Sequence, residues 1–175
     1  MVALALFVVA GGCKKKNELA ANINAANKVS NRVARLYYES PEMLLTAESR
    51  NIALPESPAA AIPVVMRELL KGPANATTSL RIFPSDTVLR GAYLLPGGLV
   101  IVDLGGPTLA KGWETGSHDE LMAIYSVVHT VTANFSDARR VRLLVNGTPA
   151  ETLAGHISLA KPFAPDTNVI EPRSR

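Results

Sequence analysis

The chain of 175 residues holds one cysteine, one tryptophan and three histidines, and only 19% of it is charged. A single thiol excludes an internal disulfide and leaves no cysteine set for a structural zinc site. The net charge is only +3, and Lys14, Lys15, Lys16, Arg173 and Arg175 lie near the two ends. The body is therefore close to neutral and carries no electrostatic footprint for nucleic acid. Val2–Ala10 is an unbroken apolar run, but a bilayer span needs about 20 such residues. The glycine clusters PGG and GG lack both the GxGxxG frame and a following Lys-Ser/Thr, so no phosphate loop is present.

What is there begins with that apolar run. Its length suits the hydrophobic region of a signal peptide. Ala10, Gly11 and Gly12 then lead into Cys13 and three lysines. Small residues let an extended chain enter a peptidase, and Ala-Gly-Gly-Cys resembles the lipobox of bacterial lipoproteins. That resemblance implies cleavage after residue 12 and acyl chains (palmitate among them) on Cys13. Each buried CH₂ contributes about 0.8 kcal/mol, so two or three chains hold where one does not. Basic residues ordinarily precede the apolar run; only Met1 does here, as expected if translation begins upstream. Residues 13–28 are polar and read as a tether, 29–162 as the folded domain, and 163–175 as a flexible tail.

At 47% hydrophobic the chain is globular, of a length for one domain plus tails. Val33–Tyr38 and Leu44–Ile52 alternate as strands, the second with Glu48 and Arg50 on one face. Ser57 and Pro58 open a helix whose apolar face is Ile62, Val65, Met66, Leu69 and Leu70, and Gly72-Pro73 stops it. Asp86–Leu95 and Leu99–Leu104 form a hairpin around Pro96-Gly97-Gly98. The loop Gly105–Gly116 carries Trp113. Ser117 with Glu120 three places on reads as a capping box, opening a helix with Leu121, Ile124, Tyr125, Val128 and Val131 inward. Arg140–Val145 is a last strand, turned at Asn146-Gly147. The order β-β-α-β-β-α-β predicts an α+β two-layer sandwich, a mixed sheet of four or five strands with two helices on one face.

Chemistry is harder to find. Ser117-His118-Asp119 has the residue types of a triad, but neighbours on a helix point apart and cannot form a relay. His118 and His129 stand three helical turns apart, about 16 Å at 1.5 Å per residue, too far for one ion. Neither a metal site nor a cofactor is expected. Asp103, Glu120 and His156 are the groups from which an envelope hydrolase acting on glycan would be built, if two acids met in a cleft. A small-ligand carrier would instead need a cavity between sheet and helices.

Taken in order, ARLYY, LTAESRNI, the helix ending Leu-Lys-Gly-Pro, IFPSDTVLRGAYLLPGGLVIVDL, HDELMAIYSVVHTVT, RRVRLLVNG and AGHISLAKPF resemble the GerMN domain of sporulation and spore-germination proteins from about Val33 to Pro162. Members usually place a serine after Val-Asp-Leu, where Gly105 and Gly106 stand here and would loosen the backbone. The resemblance implies a small extracytoplasmic domain, often on lipoproteins, with a fold related to ring-building envelope modules and no known enzyme activity. The resulting expectation is a non-catalytic binding or scaffold module, lipid-anchored through Cys13 to a bacterial membrane, with an envelope protein or peptidoglycan as partner. Trp113, Glu48, Arg50 and His156 are its candidate contact residues, beside an exposed sheet edge.

Overall fold

The computed structural model describes residues 28–172. The leader, Cys13 and nearly all of the tether fall outside the described residues. The elements are β1 (Val29–Glu39), β2 (Leu45–Pro55), α1 (Pro58–Leu70), β3 (Val88–Leu95), β4 (Leu99–Gly105), α2 (Pro107–Lys111), α3 (Ser117–Asn134) and β5 (Arg140–Val145), with a 3-10 turn at Thr167–Val169. The class is α+β, in the strand and helix order expected from the sequence, with short α2 added inside the Gly105–Gly116 loop.

The five strands divide between two sheets where one was expected. β1 and β2 form an antiparallel hairpin that pairs Val29 with Pro55 and Glu39 with Leu45. β3 and β4 are antiparallel, β4 and β5 parallel, so the second sheet is mixed. The reason for the division lies in α3. Its Ser126, Thr130 and Asn134 recur every fourth residue, which puts them in one row along the helix. That row meets the edge of β1. The Tyr37 N–H donates to the Thr130 hydroxyl at 3.0 Å, and the Ser126 hydroxyl donates to the Tyr37 carbonyl at 2.7 Å. The Arg35 N–H donates to Asn134 Oδ1 at 2.9 Å, and Asn134 Nδ2 returns a bond to the Arg35 carbonyl at 2.7 Å. Helix side chains thus occupy the place of a neighbouring strand, and the ladder stops there.

The inner face of the mixed sheet (Val100, Val102, Leu104, Val141, Leu143) shares one core with Ile62, Val65, Met66 and Leu69 of α1 and Ile124, Val127, Val128 and Val131 of α3. Burial of each such side chain contributes about 1.5–3 kcal/mol, so this core is the main stabilising term. α3 is covered more widely than an amphipathic reading allows: of the expected face Ile124, Val128 and Val131 are buried and Leu121 and Tyr125 only half-buried, while Met122, Ala123 and His129 are buried as well.

Residues 163–172, expected as a flexible tail, lie on the body instead. Phe163 and Val141 exchange main-chain hydrogen bonds of 2.8 Å. Val169 is buried, and the Glu171 N–H donates to the Leu45 carbonyl at 3.0 Å. The segment is a strap across the hairpin and β5. At the other junction, Gly106 does not loosen the chain: its φ is 143°, and a Cβ there would stand 2.5 Å from the Asp86 carbonyl oxygen. Only glycine fits that approach.

Candidate functional site

Among the described residues, four polar centres built around main-chain groups hold Glu48, Arg50, Glu120, His156, Asp103 and Asp86. The largest gathers at the C-terminus of α1, where the last carbonyls of a helix lack intrahelical donors. The Tyr38 hydroxyl, buried under the helix end, lies 2.9 Å from the Gly72 carbonyl and 3.1 Å from that of Leu69. Arg50 Nη1 reaches the Glu68 carbonyl at 3.2 Å, and its Nη2 reaches the Gly72 carbonyl at 3.1 Å. Arg81 Nη1 donates to the Leu70 carbonyl at 3.0 Å. Cations here also complement the negative end of the helix dipole. Arg50 is ion-paired to Glu48, with Glu68 at 3.5 Å on its other side. The Ala74 N–H donates to Glu48 Oε2 at 2.8 Å. Burial pushes the Glu48 carboxyl up, but the Arg50 guanidinium and the Ala74 amide outweigh it and hold the group below its usual range. Burial dominates at Tyr38, whose hydroxyl is pushed up to about 12 against the pull of Arg50.

The second centre forms at the first turn of α3. Ser117 makes no cap there: it is the first helical residue, and Gly116 precedes it without a side-chain bond. Glu120 therefore does not complete a capping box. It is fully buried, and its two oxygens take four main-chain N–H bonds from the 153–157 loop. Oε1 accepts from Leu153 at 2.7 Å and Ala154 at 2.8 Å, and Oε2 from His156 at 2.8 Å and Ile157 at 3.0 Å. Converging amides of this kind form an anion nest, and here the anion is the protein's own carboxylate. The His156 ring lies 3.0 Å from the Thr115 carbonyl by its Nε2. Two residues earlier, half-buried Trp113 stacks on Phe83 with ring centres 6.4 Å apart.

The third centre joins the mixed sheet to the turn after β5. Asp103 Oδ1 accepts from the Gly147 N–H at 2.8 Å, and Oδ2 faces Arg90 Nε at 3.3 Å. The fourth is smaller: Asp86 Oδ2 accepts from the Thr108 N–H at 2.8 Å and its hydroxyl at 2.9 Å, which holds that carboxyl low.

The candidate residues thus fall in separate places. Trp113 and His156 lie about the start of α3, whereas Glu48 and Arg50 lie at the end of α1. Of the acids considered for hydrolysis, Glu120 contacts the main chain of His156 and not its ring, and Asp103 is engaged elsewhere. No cluster of three or more His, Cys, Asp or Glu suited to a metal ion occurs among the described residues. Sequence reasoning passed over Tyr38, Arg81, Asp86 and the Ser126-Thr130-Asn134 row. Only the last left a visible signal, polar residues every fourth place in an apolar helix.

These features define a small α+β module in which polar side chains tie turns and helix ends to strands. The family model described as Germane, sporulation and spore germination, matches residues 35–151, and the chain belongs to that family. Its fold is similar to the crystal structure of a candidate lipoprotein from Clostridium perfringens, with a TM-score of 0.56 at 16% identity, over 82% of this chain and 93% of that one. It is also similar to the tandem GerMN domains of the sporulation protein GerM from Bacillus subtilis, with a TM-score of 0.50 at 21% identity, over 78% of this chain and 46% of that one. The chain thus spans about half of the tandem structure. None of the curated proteins matches it.

Proposed function

We propose that this chain is a non-catalytic binding or scaffold module of the bacterial cell envelope, held to a membrane by acyl chains on Cys13. The observation that carries the non-catalytic part is how the two buried carboxylates, Glu120 and Asp103, are used. Glu120 spends both oxygens on four amides, and Asp103 divides its own between an amide and Arg90. A general acid or base needs a free oxygen turned to substrate. The anchoring part is supported by the Ala-Gly-Gly-Cys sequence after an apolar run, and by the description of the Clostridium protein as a candidate lipoprotein. The partner on this reading is an envelope protein or peptidoglycan, met by exposed surface including the turn around Trp113 and His156.

The test is recovery of partners with the intact protein from its own envelope, beside a Cys13→Ser control. Mass spectrometry of the purified chain reads the anchor directly. Acyl chains on Cys13 and a co-purifying envelope protein are the expected results. A bare thiol with residues 1–12 retained would overturn the anchor, and turnover of glycan by the protein, lost in Glu120→Gln, would overturn the non-catalytic assignment.

A further inference from the structure

The hairpin has two edges, and they are treated differently. Arg35 and Tyr37 turn their main-chain groups to α3, away from β2. Their cross-strand partners are Ser49 and Ala47. In an antiparallel pair the residue opposite an outward-turned one is also outward-turned. Ala47, Ser49, Asn51 and Ala53 therefore present their N–H and C=O groups along the far edge of β2. The strap agrees with this parity, because Glu171 meets the same edge at the Leu45 carbonyl. Beyond Leu45, no hydrogen bond among the described residues other than the β1–β2 pairing takes a main-chain group of Ala47, Ser49, Asn51 or Ala53.

Natural edges are commonly blunted by lysine, proline, a bulge or a cover. Here the four outward residues are small, uncharged and exposed, and the register of the hairpin is continuous. The other sheet is guarded more fully: α1 lies along β3, and β5 takes Phe163 at Val141 and Thr148 at Val145.

We propose that this edge pairs with the same edge of a second copy of the chain, antiparallel about a two-fold axis at Ser49. The sequence of β2 fits that register. Ser49 faces Ser49 of the second copy, and Ala47 faces Asn51, both as hydrogen-bonded pairs of outward residues. Glu48 then stands opposite Arg50 of the second copy, and Arg50 opposite Glu48, so the Glu48–Arg50 pair that each chain already makes lies beside its counterpart with unlike charges adjacent. Centring on Asn51 sets Glu48 against Leu54 and Arg50 against Ile52, and gains no such match. The product is a continuous four-stranded sheet, β1-β2-β2-β1, limited at each end by the strap at Leu45. This pairing does not depend on the lipid anchor, although confinement to a membrane would raise its effective concentration.

The test uses the full chain with Cys13→Ser, in a nonionic detergent that masks residues 2–10. Ser49→Cys is compared with Ala53→Cys under mild oxidation. At the two-fold the Ser49 Cα atoms lie about 5.5 Å apart, within disulfide reach, whereas the Ala53 pair is offset by eight residues, about 27 Å. The expected result is a covalent dimer for Ser49→Cys at least tenfold in excess of that for Ala53→Cys. Ser49→Pro, which removes an outward N–H unused within the hairpin, is expected to weaken self-association at least tenfold by sedimentation equilibrium with an unchanged melting temperature. Equal crosslinking at both positions, or a dimer untouched by Ser49→Pro, overturns the proposal. A chain that stays monomeric also overturns it, and leaves the edge to a strand of another protein.

Discussion

Glu120 and Glu48 are the same residue type serving as anchors at two helix ends, the start of α3 and the end of α1, and they are held by opposite means. Glu120 exposes none of its surface and forms no salt bridge among the described residues; four amides of one loop surround it. Glu48 exposes 18% of its side chain and leans on Arg50, with one amide in support. A buried charge without water depends wholly on the donors built around it. A partly exposed pair is assisted by solvent and weakened by salt. Removing the first anchor should be far more costly than removing the second.

The largest expected effect is accordingly that of Glu120→Ala. It leaves four N–H groups of the 153–157 loop without their acceptor, at about 1–3 kcal/mol each before water enters or the loop shifts. A net loss of about 4 kcal/mol is expected in urea unfolding, a large share of the 5–15 kcal/mol typical of a domain. Glu120→Gln keeps one acceptor oxygen and should lose about half as much. Hydrogen exchange sharpens the comparison: amides 153–157 should lose protection in both variants while those of α1 keep theirs. An Ala variant within 1 kcal/mol of the parent would show that the nest is incidental.

Arg50→Ala tests the partly exposed anchor. It strips a cation from Glu48 and Glu68 and a donor from the end of α1, where Tyr38 and Arg81 still serve the carbonyls. The expected loss is about 1–2 kcal/mol, reduced in high salt because the pair is partly solvated. A salt-independent loss as great as that of Glu120→Ala would erase the distinction between the two anchors.

Thr130→Val comes next. It preserves shape but leaves the Tyr37 N–H facing a methyl group, at a cost of about 1–2 kcal/mol. This row of α3 also shows what the sequence disclosed and what it withheld. Period two and period 3.6 revealed the strands and both long helices, since each reports a local face. Ser126, Thr130 and Asn134 are visible as a polar row, but the strand edge they seal lies 89–99 residues away in the chain. For the same reason the division into two sheets could not be read. Ser117 and Glu120 misled because a capping box is a local signature, while the true donors to Glu120 stand 33–37 residues on. Polar composition hid the strap, whose docking rests on Phe163, Val169 and Ile170 among prolines and polar residues. The candidate contact residues were legible as types; that Glu48 and Arg50 serve the end of α1 was not.

The smallest effect is a pH dependence centred on His129, a buried polar group like Glu120 but one held neutral. Its ring lies between Tyr37 and Tyr125, and Nε2 is 2.8 Å from the Asp166 carbonyl of the strap. Burial lowers its pKa below the ordinary 6.5, and the Asp166 carbonyl and charge offset this only in part. Between the lowered value and 6.5 the unfolded chain binds a proton that the folded chain refuses. Stability from this group is therefore complete above about pH 6.5 and declines as pH falls below it, by no more than about 1.4 kcal/mol per pH unit for one proton. His129→Phe, compared with the parent at pH 7.5 and 5.5, should flatten this part of the profile. Since the ring bonds the strap, protection of the Glu171 amide, whose N–H meets Leu45, should fall at the lower pH in the parent alone once exchange is corrected for the intrinsic rate at each pH. An identical pH profile in the two proteins would mean that His129 takes its proton as readily folded as unfolded, and that the strap is held by Phe163, Val169 and Ile170 without regard to charge.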